Sequence, residues 1–130
     1  MEHDLDKVSL SDLQLNIMRV LWKNPNSSTA QVVSALRDTR PLAHTTVATL
    51  LTRLEKRGLL STQKDGKQIL YAPLLTESQV QRSMVSDLLT SLFKGNAQAL
   101  LSHLVKEDEI KVEDLDKIRQ LIQAKGKPHA

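Results

Sequence analysis

Leu42-Ala43-His44-Thr45-Thr46-Val47-Ala48-Thr49-Leu50-Leu51-Thr52-Arg53-Leu54-Glu55-Lys56-Arg57-Gly58 reads as one amphipathic helix with two unlike faces. Val47, Leu50, Leu51 and Leu54 recur at i, i+3, i+4 and i+7, the stripe of a helix packed on a core. At about 100° per residue, Thr45, Thr49, Thr52 and Lys56 fall on the opposite side, flanked by Thr46 and Arg53. A solvated helix face ordinarily carries Glu and Lys; this one carries short hydroxyls edged by cations. Threonine is short enough to let a helix sit deep in a groove. Its hydroxyl meets base edges or phosphates and its methyl meets thymine methyls. The face is either a polar surface that happens to be threonine-rich or a DNA-reading surface, and the rest of the chain decides between the two.

Charge is distributed as the second reading requires. The whole chain carries +3, residues 1–73 carry all of it, residues 74–130 are neutral, and residues 37–67 alone carry +4. Positive charge gathered around one helix is the footprint of a nucleic-acid partner. The 130 residues suit one domain or a small domain with an appendage. Trp22, Tyr71 and Phe93 are the whole aromatic set, so the core must be aliphatic, which favours helix-on-helix packing.

The absence of cysteine excludes disulfides and thiolate metal or redox sites and suits a cytoplasmic protein. His3, His44, His103 and His129 are scattered without metal-ligand spacing, so neither a metal nor another cofactor is expected. No stretch approaches the roughly 18 apolar residues of a membrane span. The acidic start Met-Glu-His-Asp-Leu-Asp is not a signal peptide.

Working outward, Ser11 with Gln14 makes a capping box that opens a first helix, with Leu13, Ile17, Met18, Val20 and Leu21 on its buried side. Trp22, in its last turn, is a packing residue, and Asn24-Pro25-Asn26 ends the helix. Ser28-Thr29-Ala30-Gln31 starts a short second helix, carried by Val32, Val33 and Leu36. Thr39-Arg40-Pro41 connects it to the threonine-faced helix, which stops at Gly58. Beyond Leu60 the period changes: Asp65-Gly66 is a hairpin signal between two strands, and Gln68–Pro73 is the return strand with Ile69 and Tyr71 on one face. Lys64 and Lys67 flank the tip. A third strand near residues 26–28 would complete such a hairpin, but Ser27-Ser28 is too short to assign from sequence.

Helix, helix, helix, strand, turn, strand is the order of a winged helix-turn-helix, with the third helix in the major groove and the hairpin as the wing. The expected fold is mainly α with a small β-hairpin wing. Residues 8–74 form the winged-helix DNA-binding domain and residues 75–125 a helical dimerisation region. In the latter, Thr76 caps with Gln79, and Val80, Met84, Leu88 and Leu92 follow at four-residue spacing. Leu100, Leu101 and Leu104 mark a second helix; Leu115, Ile118, Leu121 and Ile122 mark a third. About 50 residues bury little surface alone, so these stripes either fold back on the first domain of the same chain or pack against a second copy, and the second copy is expected.

On these elements the chain resembles the penicillinase-repressor family of bacterial transcription factors (the BlaI/MecI type) over about residues 8–124. The resemblance rests on Leu10-Ser11-Asp12-Leu13-Gln14 with Ile17-Met18 and Leu21-Trp22. It rests further on Thr45-Thr46-Val47 with Thr49-Leu50-Leu51-Thr52-Arg53-Leu54 and Arg57-Gly58, on Tyr71-Ala72-Pro73-Leu74, and on Phe93-Lys94-Gly95 with Leu100-Leu101 and Val105. It implies a homodimeric repressor of palindromic double-stranded DNA operators. The groove-reading positions it implies are His44, Thr45, Thr46, Ala48 and Thr49, with Arg53 behind them. Familiar members carry longer basic side chains where Thr45 and Ala48 stand, so a bidentate Arg or Lys contact to guanine is lacking at those positions.

The resemblance also implies a membrane sensor metalloprotease as a partner in the β-lactam-responsive members. The matching bond lies near His103-Leu104, where the family's Asn-Phe pair is absent. The copper-responsive branch uses a C-terminal cysteine cluster, which this chain lacks.

Thr45, Thr46 and Thr49 are thus expected to face bases, with Thr52 on the same side. Lys56, Arg57, Lys64 and Lys67 are expected to meet phosphate, with Arg53 joining them. The alternative reading is a winged-helix protein-interaction module without sequence-specific DNA binding. An enzyme is not expected: nucleophile-base constellations, phosphate-cradling glycine loops and metal motifs are all lacking.

Overall fold

The computed structural model describes residues 8–126 in two compact units, divided between Val85 and Ser86. In the first unit α1 (Asp12–Lys23), β1 (Ser27–Ser28), α2 (Thr29–Leu36), α3 (His44–Lys56), β2 (Leu60–Asp65) and β3 (Gln68–Pro73) follow one another. They lead into α4 (Glu77–Phe93), whose first half belongs to this unit. Local chemistry starts each helix. The Ser11 and Ser28 hydroxyls accept from the N–H groups of Gln14 and Gln31, and both glutamine side chains accept the cap N–H in return. Two otherwise orphaned donors are satisfied at each start. Thr76 and Gln79 make the same reciprocal pair ahead of α4.

The end of α3 is equally local. Gly58 adopts φ +80°, a conformation that favours a residue without Cβ. Its N–H donates to the Glu55 carbonyl, and the Leu59 N–H donates to the Leu54 carbonyl. This is a Schellman end, and the accompanying apolar pair, Leu54 and Leu59, is buried.

The sheet is antiparallel in the order β1-β3-β2. The two-residue β1 is real: Ser27 pairs with Tyr71 and Ser28 with Leu70. The turn differs from expectation by one residue. Asp65 pairs with Gln68, leaving Gly66-Lys67 as the central residues, with Gly66 at φ +64°. A positive φ at the first central position alone is the type II′ arrangement, which fits the strand twist and asks for glycine first. Asp-Gly at the centre would have set Lys64 opposite Lys67; the observed register sets Lys64 opposite Ile69 and Thr62 opposite Tyr71.

One aliphatic core unites this unit. Ile17, Met18, Leu21, Val32, Val47, Leu51 and Leu54 are sealed from solvent, and Val8, Leu10, Leu36, Leu59, Leu60, Tyr71, Leu75 and Val80 close around them. Burying each Leu- or Val-sized side chain is worth about 1.5–3 kcal/mol. Met84 packs against the same cluster. Val80 and Met84 are thus engaged within the chain. The compact unit runs to Val85.

The second unit contains the rest of α4, then α5 (Ala97–Lys106) and α6 (Val112–Gly126). Asn96 caps α5 by accepting from the Ala99 N–H, and the ring of Phe93 lies 6.1 Å from that of His103. None of its described residues is buried. Leu92, Leu121 and Ile122 are each more than 60% exposed.

Candidate nucleic-acid interface

The core stripe fixes how α3 is turned. Val47, Leu50, Leu51 and Leu54 face inward, so His44, Thr45, Thr46, Thr49, Thr52, Arg53 and Lys56 are all exposed and Ala48 is half-buried. The structure brings Ala48, Thr49, Thr52, Arg53 and Lys56 around one shallow depression of about 320 Å³. The small side chain of Ala48 helps make that depression. The Thr52 hydroxyl donates to the Ala48 carbonyl at 2.9 Å, one turn back along its own helix. Toward an outside partner Thr52 therefore presents an acceptor oxygen and a methyl group, whereas a serine or threonine without that bond could donate as well.

The wing stands on one flank of this face. Side chains alternate across the hairpin, so residues paired directly share a side. Leu60, Thr62 and Lys64 therefore share a side with Ile69 and Tyr71. Thr62 donates to the Glu55 carboxylate of α3 at 3.5 Å, which turns that side toward the helix. Lys64 and Ile69 extend it outward beyond the core: Tyr71 is 7% exposed, Ile69 42%. Lys67 sits in the turn itself and is exposed. Lys64 thus lies on the side of the wing that faces α3, and Lys67 stands at the wing tip.

Arg57, expected to meet phosphate, is engaged within the chain. Its guanidinium lies on the other flank, donating to the Ser9 carbonyl at 2.9 Å and to Gln14 Oε1 at 3.5 Å. Two residues that sequence reasoning missed, Glu55 and Ile69, thus lie beside the face, and a third, Gln14, braces it from behind. Only a correct hairpin register would have paired Ile69 with Lys64. Gln14 carried a signal, its capping role, but nothing that pointed to Arg57.

Among the described residues there is no group of His, Asp and Glu that could hold a metal ion. None of their helices is long and apolar enough to cross a membrane. What the arrangement offers is a convex helix of hydroxyls and cations beside a lysine-tipped hairpin.

Known proteins resemble this chain in fold and sequence. The solved DNA-binding domain of the repressor BlaI superposes with a TM-score of 0.50 at 35% identity, covering 55% of this chain and 87% of that one. The penicillinase repressor of Bacillus licheniformis is 26% identical over 114 residues, 88% of this chain and 89% of that protein. The methicillin resistance regulatory protein MecI of Staphylococcus aureus (strain N315) is 22% identical over 116 residues, 89% of this chain and 94% of that protein. The family model described as penicillinase repressor matches residues 10–124, from the residue before the first cap to the last turns of α6, and the chain belongs to that family.

Proposed function

We propose that this chain is a DNA-binding transcriptional repressor that sets α3 in the major groove and the β2–β3 wing on the neighbouring backbone. One observation carries the reading: the solvent-facing side of α3 is a surface of threonines and cations, beside a hairpin whose Lys64 and Lys67 are exposed. In it His44, Thr45, Thr46, Ala48 and Thr49 read bases, while Arg53, Lys56, Lys64 and Lys67 neutralise phosphates. The names of its relatives, repressors and a regulatory protein, agree.

The repressor acts as a homodimer. A second unit whose described residues include none that is buried has its apolar stripes to cover, and an identical unit is their natural complement. A two-fold protein reads a palindrome, with half-sites one helical turn apart or a multiple of it. Control by a membrane sensor metalloprotease, as the family resemblance implies, would need α5 to open. The His103-Leu104 bond lies within that helix, and the His103 carbonyl accepts from the Glu107 N–H.

Selection of duplexes from a random-sequence library by the full chain tests the reading. Enrichment of a palindrome supports it. If no sequence is enriched and random duplex is not bound even at low salt, the winged-helix fold serves protein-protein contact instead.

A further inference from the structure

We propose that Arg57 is a positioning residue: it holds the end of the recognition helix against residues 8–14, and sequence discrimination depends on that brace, not on an Arg57–phosphate contact. The inference rests on the DNA-binding reading of α3 and deepens it.

Arg57 is the C-cap of α3, the last residue before the left-handed Gly58. At about 100° per residue it stands roughly 120° from the centre of the Thr45-Thr49-Thr52-Lys56 face, on the flank away from the wing. Its two terminal nitrogens reach different anchors. Nη2 donates to the Ser9 carbonyl, and Nη1 donates to the same Gln14 oxygen that accepts the Ser11 N–H in the capping box of α1. Those anchors are themselves held. Val8 and Leu10, on either side of Ser9, are buried, and the Val8 N–H donates to the Ser83 hydroxyl of α4 at 2.7 Å. A planar guanidinium forked between two fixed acceptors sets an angle as well as a distance, which a flexible ammonium does not.

The wing side of α3 has its own tie, Thr62 to Glu55. Arg57 supplies the matching tie on the opposite side, so the helix is held from both flanks. Groups that discriminate bases must be kept within about half an ångström of their productive geometry. Short threonines have no slack with which to follow a helix that rocks.

The full-length protein and its Arg57→Lys and Arg57→Ala variants are titrated across a salt series. The probes are the duplex most enriched by the wild-type chain and a scrambled duplex of equal length. Expected for both variants is a loss of about tenfold on the enriched duplex, the size of one mismatched base pair. Binding to the scrambled duplex and the salt slope stay at wild-type values, all measured well below each melting temperature. A merely structural role would lower the melting temperature and leave the ratio between duplexes intact, which overturns the proposal. A phosphate contact would let Arg57→Lys bind both duplexes normally, while Arg57→Ala weakened both alike and flattened the slope by about 0.9; this too overturns it. If Arg57→Ala does not fold, Arg57→Lys decides alone, since it keeps the charge and loses the fork. Failure of the wild-type chain to enrich any duplex would sink the DNA reading itself, an outcome separate from all of these.

Discussion

The indole Nε1 of Trp22 donates to the backbone carbonyl of Leu75 at 2.9 Å, fastening the last turn of α1 to the segment that opens α4. The indole body packs against the aliphatic core while its N–H finds a carbonyl, as a half-buried Trp requires. Trp22→Phe keeps most of the apolar contact and leaves the carbonyl without that donor. The expected loss is about 1 kcal/mol, seen as a lower melting temperature by circular dichroism, with DNA affinity unchanged below the transition. An unaltered melting temperature would mean that water replaces the indole N–H at no cost.

Gly66 sits at φ +64° with open space where a Cβ would be. Gly66→Ala therefore tests backbone strain without a clash, and about 1–2 kcal/mol of destabilisation is expected from the left-handed conformation alone. Because the turn sets the hairpin register, the same change should also weaken DNA binding through Lys64 and Lys67. A variant as stable as the parent would show that the wing turn tolerates another geometry.

The wing lysines and the helix threonines should behave differently. Lys64→Ala or Lys67→Ala should weaken every duplex alike and lower the salt slope by about 0.9 for each phosphate left without its cation. Thr46→Ala should cost on the order of 1 kcal/mol or more at particular base pairs and leave the slope alone. Competition titrations at several salt concentrations read both. Identical behaviour of the two classes on enriched and random DNA would refute this division of roles.

Most of the first unit was legible because its determinants are local. The Ser11 and Ser28 caps, the α3 stripe and the Gly58 stop each depend on residues within a turn or two. What escaped was set by distant residues. β1 exists only because Tyr71 and Leu70 lie alongside Ser27 and Ser28, and a two-residue strand has no period to read. The Asp65-Gly66 pair marked the hairpin yet not its register, since glycine fits either central position depending on the turn type. Arg57 looked like one more cation on a basic helix; its acceptors lie 43 and 48 residues earlier. Val80 and Met84 show a deeper limit. Four-residue spacing reports that a face is buried, but an intrachain core and a second chain leave the same pattern.

That ambiguity yields the final prediction. With Val80 and Met84 engaged in the first core, the proposed dimer face falls mainly to Leu88, Leu92, Leu100, Leu101, Leu104, Leu115, Ile118, Leu121 and Ile122. Leu121 is 70% exposed and Ile122 64% exposed, so neither supports the fold of its own chain. A glutamate at position 121 should leave the helix content intact and place a charge where the partner's apolar surface must close. By sedimentation, Leu121→Glu is expected to run as a monomer at concentrations where the parent is a dimer. Its affinity for a full palindrome should drop about a hundredfold or more, because the two half-sites are no longer read by linked domains. Binding to an isolated half-site should not change. A parent that sediments as a monomer, or a variant that remains dimeric, would remove α6 from the interface.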